Sequence, residues 1–189
     1  MEAIDQPYVT PEDYLALEAR SPVRHEYVDG QVFAMTGATL RHNVIAGNVF
    51  AALRGHLRHG PCRVFMSDAK LRVAQHNAYY YPDVMVSCDP RLQHLGANDA
   101  AVDAPVLIVE VLSEATEAID RREKMLAYRT LASLQEYMLV SQGAPGVELF
   151  RRRGDVGWQA VRFEPGEKVD LASIGLTLDF ATIYEGVEA

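Results

Sequence analysis

The sequence predicts an α/β domain in which a central mixed sheet is flanked by two long helices. Three observations predict it. Val106-Leu107-Ile108-Val109, followed by Val111-Leu112, is a nearly continuous apolar run broken only by Glu110, the pattern of a strand buried on both faces in mid-sheet. From Thr39 to His59 the apolar residues Leu40, Val44, Ile45, Val49, Leu53 and Leu57 recur at helical spacing, until Gly60-Pro61 stops the pattern. A second helix is expected from about Thr116 to Leu131, and strand-like segments surround both helices.

In chain order, Thr10-Pro11-Glu12-Asp13 reads as a helix start, with Thr10 at the N-cap, Pro11 at the first helical position and an acid three residues past the cap. That helix should reach about Ala19. His25 to Met35 places Asp29-Gly30 between two strand-like runs, a hairpin signal. Cys62 to Met66, Leu71 to Val73 and Tyr79 to Cys88 read as strands joined by short turns, and Arg91 to Ala104 as a mobile surface loop. After the second long helix come a strand at Glu136 to Val140 and a terminal hairpin, Val147 to Arg153 with Trp158 to Phe163, turned by Gly154-Asp155-Val156-Gly157.

A chain of 189 residues fits a single domain, 1–189, and its 49% hydrophobic and 23% charged residues are those of an ordinary globular protein. No apolar run is long enough to span a bilayer, and MEAIDQPYVT has neither a basic start nor an apolar stretch, so a cytoplasmic protein is expected. Cys62 and Cys88 are too few for a disulfide framework and read as reduced core residues. A net charge of -8 argues against non-specific coating of nucleic acid, though an enzyme approaching one phosphate through a bound cation needs only a local basic patch. Phosphate-binding loops, dinucleotide fingerprints and serine-hydrolase elbows are missing. His56, His59 and Cys62 have zinc-like spacing but lack a fourth ligand. Arg151-Arg152-Arg153 beside Trp158 reads either as a phosphate contact or as a solvated strand edge.

Glu110 carries the most chemical information. A lone ionised carboxylate inside such an apolar run is costly, so it must be paired, protonated, at an exposed strand end or bound to a cation. Asp83, just past Pro82 at the start of an apolar strand, poses the same question, with a turn acid as the plain alternative. Two acids on neighbouring strands can hold one hard cation, leaving water and substrate phosphate in the remaining positions. Asp120, Lys124 and Tyr128 fall at i, i+4 and i+8 and share a helix face. Lys124 is therefore a candidate donor to a phosphodiester, and an exposed Asp-Lys pair is the alternative.

YYYPDVMVSCDP, APVLIVEVLSEATEAIDRREKMLAYRTLASLQEYMLV, HEYVDGQVFAMTGAT and RHNVIAGNV together resemble the Uma-type restriction endonuclease family of bacteria, part of the PD-(D/E)XK nuclease superfamily. The resemblance covers roughly Tyr8 to Val140 in order and spacing. It implies a restriction-endonuclease-like core with an added N-terminal helix-hairpin and C-terminal hairpin. It also implies a Mg²⁺- or Mn²⁺-dependent endonuclease acting on DNA as a homodimer. Pro82-Asp83 and Glu110 match the motif acids that hold the metal, and Lys124 matches a lysine on the following helix, since Leu112 stands where the superfamily lysine is expected. Glu26 and His42 match further family positions, and Lys70 is a rival for the catalytic lysine. Glu114 and Ser141 stand where the family commonly has proline and aspartate. The alternative is an inactive nuclease-fold module that binds nucleic acid or a protein partner.

Overall fold

The computed structural model describes residues 7–35, 37–96, 101–114 and 116–187. Its centre is a six-stranded sheet of β3 (Arg63–Met66), β6 (Val84–Ser87), β7 (Pro105–Leu112), β8 (Glu136–Ser141), β9 (Val147–Arg152) and β10 (Trp158–Phe163), in the order β10-β9-β8-β7-β6-β3. Only β7 and β8 pair in parallel, so the sheet is mixed as expected. A parallel neighbour needs a crossover. The helical stretch of α3 (Glu117–Ile119), a π turn (Asp120–Lys124) and α4 (Met125–Arg129) supplies it.

β7 is buried on both faces because its side chains alternate between two cores. Leu107, Val109 and Val111 pack with Ile45, Val49 and Leu53 of α2 (Leu40–Leu57). Ile108 and Leu112 pack with Met125, Tyr128, Leu131 and Leu134 on the opposite face. Glu110 shares that second face, which explains how a carboxylate can interrupt an apolar strand without facing water. Truncating Leu53, fully buried under the sheet, should cost about 2–5 kcal/mol.

The N-terminal hairpin joins two mid-chain strands in a separate antiparallel sheet, β2 (Gln31–Ala34), β1 (His25–Val28), β5 (Ala78–Tyr80) and β4 (Leu71–Val73), in that order. Helix α1 (Pro11–Glu18) lies over it, with Thr10 accepting the Asp13 N–H as N-cap and Tyr14 stacked on Tyr27. The expected strand Tyr79 to Cys88 is in fact two, because Tyr81-Pro82-Asp83 breaks it and sends β5 and β6 to different sheets. Proline cannot donate to a ladder, so the chain changes sheets there.

One further expectation is corrected. Cys62 and Cys88 form a disulfide rather than staying reduced. Arg63 pairs with Ser87, and the next opposed positions along the β3–β6 ladder are these two cysteines. The zinc-like trio does not assemble: the His56 ring contacts the Ile174 carbonyl at 3.0 Å and Cys62 is oxidised. Of the basic run, Arg151 pairs with Glu136, while Arg152 lies 4.7 Å from the Trp158 ring and donates to Arg129, Leu131 and Leu134 carbonyls.

The stretch Arg91 to Ala104 is tied at its described ends, by Arg91 to Asp89 and Asp103 and by Val102 to the Lys70 and Arg72 backbone. Its residues 97–100 lie outside the described residues. A last hairpin, β11 (Lys168–Leu171) and β12 (Leu176–Asp179), and the short α5 (Phe180–Ile183) cover the α2 side of the core. Among the described residues no helix is long and apolar enough to cross a membrane.

Candidate active site

Strand register brings the two predicted acids together. Val84 pairs with Val109, so Asp83 stands opposite Glu110. Their contacts are reciprocal: the Asp83 N–H donates to Glu110 Oε2 at 3.3 Å, and the Val111 N–H donates to Asp83 Oδ2 at 2.7 Å. The latter bond is short, as bonds to carboxylates are. His42, in the first turn of α2, places Nε2 3.2 Å from the same Asp83 oxygen.

The crossover helix closes the site from the other side. Glu110 Oε1 accepts from the Tyr128 hydroxyl at 2.9 Å and from Lys124 Nζ at 3.2 Å. The same ammonium lies 3.2 Å from Glu26 Oε1 and 3.1 Å from Asp120 Oδ1. Lys124, Glu110 and Asp120 are all buried. Asp120 and Lys124 bound the π turn, a distortion that often marks functional positions in helices. Tyr137 donates its hydroxyl to the Asp120 carbonyl, so a backbone acceptor within the turn is answered. Glu26 reaches the cluster from β1 and also accepts the Tyr81 N–H.

Of the sequence-derived candidates, Asp83, Glu110, Lys124, Glu26 and His42 therefore converge. Lys70 does not join them. Its ammonium lies 5.5 Å from the centre of the Tyr14 ring and 6.0 Å from that of Tyr81, where burial lowers its pKa despite the attraction of Glu18. Asp120 and Tyr128 belong to the cluster as well, beyond the residues the sequence singles out as site candidates. Their shared helix face with Lys124 was the available signal. The burial of that face and the π turn were not readable from spacing alone.

Negative charge exceeds positive charge in this cluster. Burial pushes the Glu110 pKa well above its ordinary 4.5; Lys124 opposes the rise, but Asp120, Asp83 and Glu26 add to it by like-charge repulsion. Burial acts against the charge on Lys124, yet Glu110, Glu26 and Asp120 outweigh it and hold the amine firmly protonated. One ammonium thus serves three carboxylates and satisfies none completely. For His42 too, burial opposes the charge, and the hydrogen bond and attraction to Asp83 raise the pKa above 6.5 on balance. Burial followed by repulsion from Glu110 keeps the Tyr128 hydroxyl protonated. Among the described residues no group of three or more His, Cys, Asp or Glu side chains is arranged to hold a metal ion.

A family profile described as "Putative restriction endonuclease", Uma2, matches residues 11–181. An uncharacterized Synechocystis protein, slr1290, is 36% identical over 181 residues, 96% of this chain and 94% of its own length. A second one, sll1609, is 33% identical over 150 residues, 79% of this chain and 84% of its own. Among solved structures, one from Anabaena variabilis, titled a "putative nuclease belonging to DUF820", superposes with a TM-score of 0.76. It covers 95% of this chain and 99% of its own at 16% identity, a likeness of fold. Matched by that family profile over nearly the whole chain, the protein belongs to the Uma2 family.

Proposed function

We propose that the chain is a divalent-metal-dependent endonuclease that hydrolyses phosphodiester bonds in DNA. The observation that carries this reading is the crowding of Glu26, Glu110 and Asp120 around one ammonium with Asp83 beside Glu110, an excess of negative charge that a dication would relieve. Hard oxygen donors on two neighbouring strands suit Mg²⁺ or Mn²⁺, which commonly take one or two protein carboxylates and fill their other positions with water and substrate phosphate. Asp83 and Glu110 would hold it. The ion, when bound, supplies Lewis-acid polarisation of the phosphate and a more acidic water.

The protein's own groups do the rest. Lys124 is protonated and so acts as a donor, able to neutralise charge that develops on a phosphate oxygen. Of its three carboxylate contacts, the one to Glu110 is also a hydrogen bond, whereas Asp120 Oδ1 has no hydrogen-bond partner among the described residues. Tyr128 fixes the Glu110 rotamer, His42 and the Val111 N–H fix that of Asp83, and Glu26 ties the N-terminal sheet to the site. A homodimer, one protomer per strand, is part of the same reading.

Supercoiled and single-stranded DNA incubated with Mg²⁺ or Mn²⁺ tests it, with Glu110→Gln and Lys124→Ala beside the wild type. Cleavage lost in both variants supports the enzyme and its lysine. A second reading, an inactive module that binds nucleic acid or a protein, is favoured by Leu112 two residues after Glu110, where the resemblance leads one to expect a lysine. Absence of cleavage with either metal, together with DNA binding, would decide for it.

A further inference from the structure

A row of opposed residues crosses the sheet from the candidate active site. Asp83 stands opposite Glu110, Glu110 pairs with Leu139, Leu139 with Glu148, and Glu148 with Arg162. Directly opposed residues share a sheet face, and strands are about 4.8 Å apart, so Glu148 lies about 10 Å from Glu110 on the same face. That is one nucleotide's reach from a phosphate bound at the acids. There the row opens into a cleft of about 220 Å³, floored by Leu112 and Leu139 and walled by Arg121, Glu148, Arg162 and Phe163. The volume is below the roughly 300–1,000 Å³ of pockets for drug-sized ligands and suits a single planar heterocycle.

The wall is partly preorganised. Arg121 is held by Glu117 and Glu148, each at 2.7 Å, and Arg162 Nε lies 3.7 Å from Glu148. Both arginines meet Glu148 through Oε2, which leaves Oε1 for another donor. Arg162 is 76% exposed and free to swing over an occupant. The cleft thus offers a carboxylate acceptor beside guanidinium donors, over an apolar floor.

We propose that this cleft receives a guanine base of the strand held at the active site, giving the protein a base preference beside the scissile phosphate. Guanine presents two donors, N1–H and N2–H₂, next to two acceptors, O6 and N7. Glu148 would take the former, and Arg162 would engage the latter, the geometry of the commonest arginine–base contact. A base paired in a duplex cannot enter, so the strand must be single or locally opened. The proposal deepens the nuclease reading, but its test does not require cleavage.

Fluorescein-labelled thymidine pentamers carrying guanine, adenine, cytosine or thymine at the centre are titrated with Ca²⁺ in place of Mg²⁺, a hard cation for the same oxygen ligands, and followed by anisotropy. The guanine pentamer should bind about tenfold more tightly than the adenine one, the worth of a good bidentate pair. In Arg162→Ala that ratio should fall towards one, with the melting temperature kept because the side chain is exposed. Arg162→Lys should not restore it, since an ammonium lacks the planar fork. Equal binding of all four pentamers, or a guanine preference that survives both Arg162→Ala and Glu148→Gln, overturns the proposal. Guanine preference in a protein that cuts no DNA would uphold the cleft and remove the nuclease reading; metal-dependent cutting without base preference would do the reverse.

Discussion

Glu18 and Glu110 are both buried carboxylates, 2% and 3% exposed, yet the protein treats them in opposite ways. Glu18, at the end of α1, accepts from the Tyr81 hydroxyl at 2.8 Å and the His25 N–H at 3.2 Å, and its other oxygen lies 3.0 Å from His25 Nδ1. Burial works against its charge, but the bonds from Tyr81 and His25 win, and its pKa falls below 4.5. Glu110 also has donors, but it shares Lys124 with two other acids and its pKa rises. A buried acid fully answered by donors joins two elements. One left short of positive charge marks a place where a cation can bind.

The largest expected separation between the two is catalytic. Glu110→Gln should lower metal-dependent DNA cleavage by at least about 10²-fold, the scale of losing one electrostatic contact to the transition state, in a gel assay of supercoiled plasmid. Glu18→Gln should leave that cleavage in place. Equal losses in both variants would erase the distinction.

Next in size is the effect of removing the ammonium. Lys124→Met strands three carboxylates without a counter-charge and should destabilise the metal-free protein by about 3–5 kcal/mol in urea unfolding. Mg²⁺ should recover more stability in this variant than in wild type, because a ligand that binds only the folded state stabilises it. In Glu18→Gln the loss should be smaller, about 1.5–3 kcal/mol, for weakened bonds to a charged acceptor, and Mg²⁺ should not reduce it.

The pH dependence sharpens the contrast through its sign. Glu18 has a folded pKa below its unfolded one, so its contribution is present above about pH 4.5 and is lost as pH falls through the lowered value. Glu110 has a raised folded pKa, so its contribution is present below about pH 4.5 and is lost as pH rises through the raised value. Metal-free melting curves should therefore show Glu18→Gln flattening the acid side of the wild-type profile and Glu110→Gln flattening the side above it.

Much of this was legible in the chain. Glu110 stood out because an acid breaks an otherwise apolar strand, and Lys124 stood out by sharing a helix face with Asp120 and Tyr128. Glu18 gave no such sign. It ends a short polar helix, and only the approach of Tyr81 and His25 buries it. The division of Tyr79 to Cys88 between two sheets was signalled by Pro82, but the change of sheet depends on pairing partners distant in sequence. The Cys62–Cys88 bond likewise follows from strand register, which spacing does not encode. Hairpin β11–β12 rests on Val169, Leu171 and Leu178 packing against α2, contacts made across most of the chain length.

The most direct measurement is Mn²⁺ titration by calorimetry of the metal-free protein, with Asp83→Asn and Glu18→Gln alongside. Saturable binding that Asp83→Asn abolishes and Glu18→Gln keeps is the predicted result. No binding by the wild type, or binding that Asp83→Asn leaves intact, would contradict the assignment of the crowded cluster as a cation site.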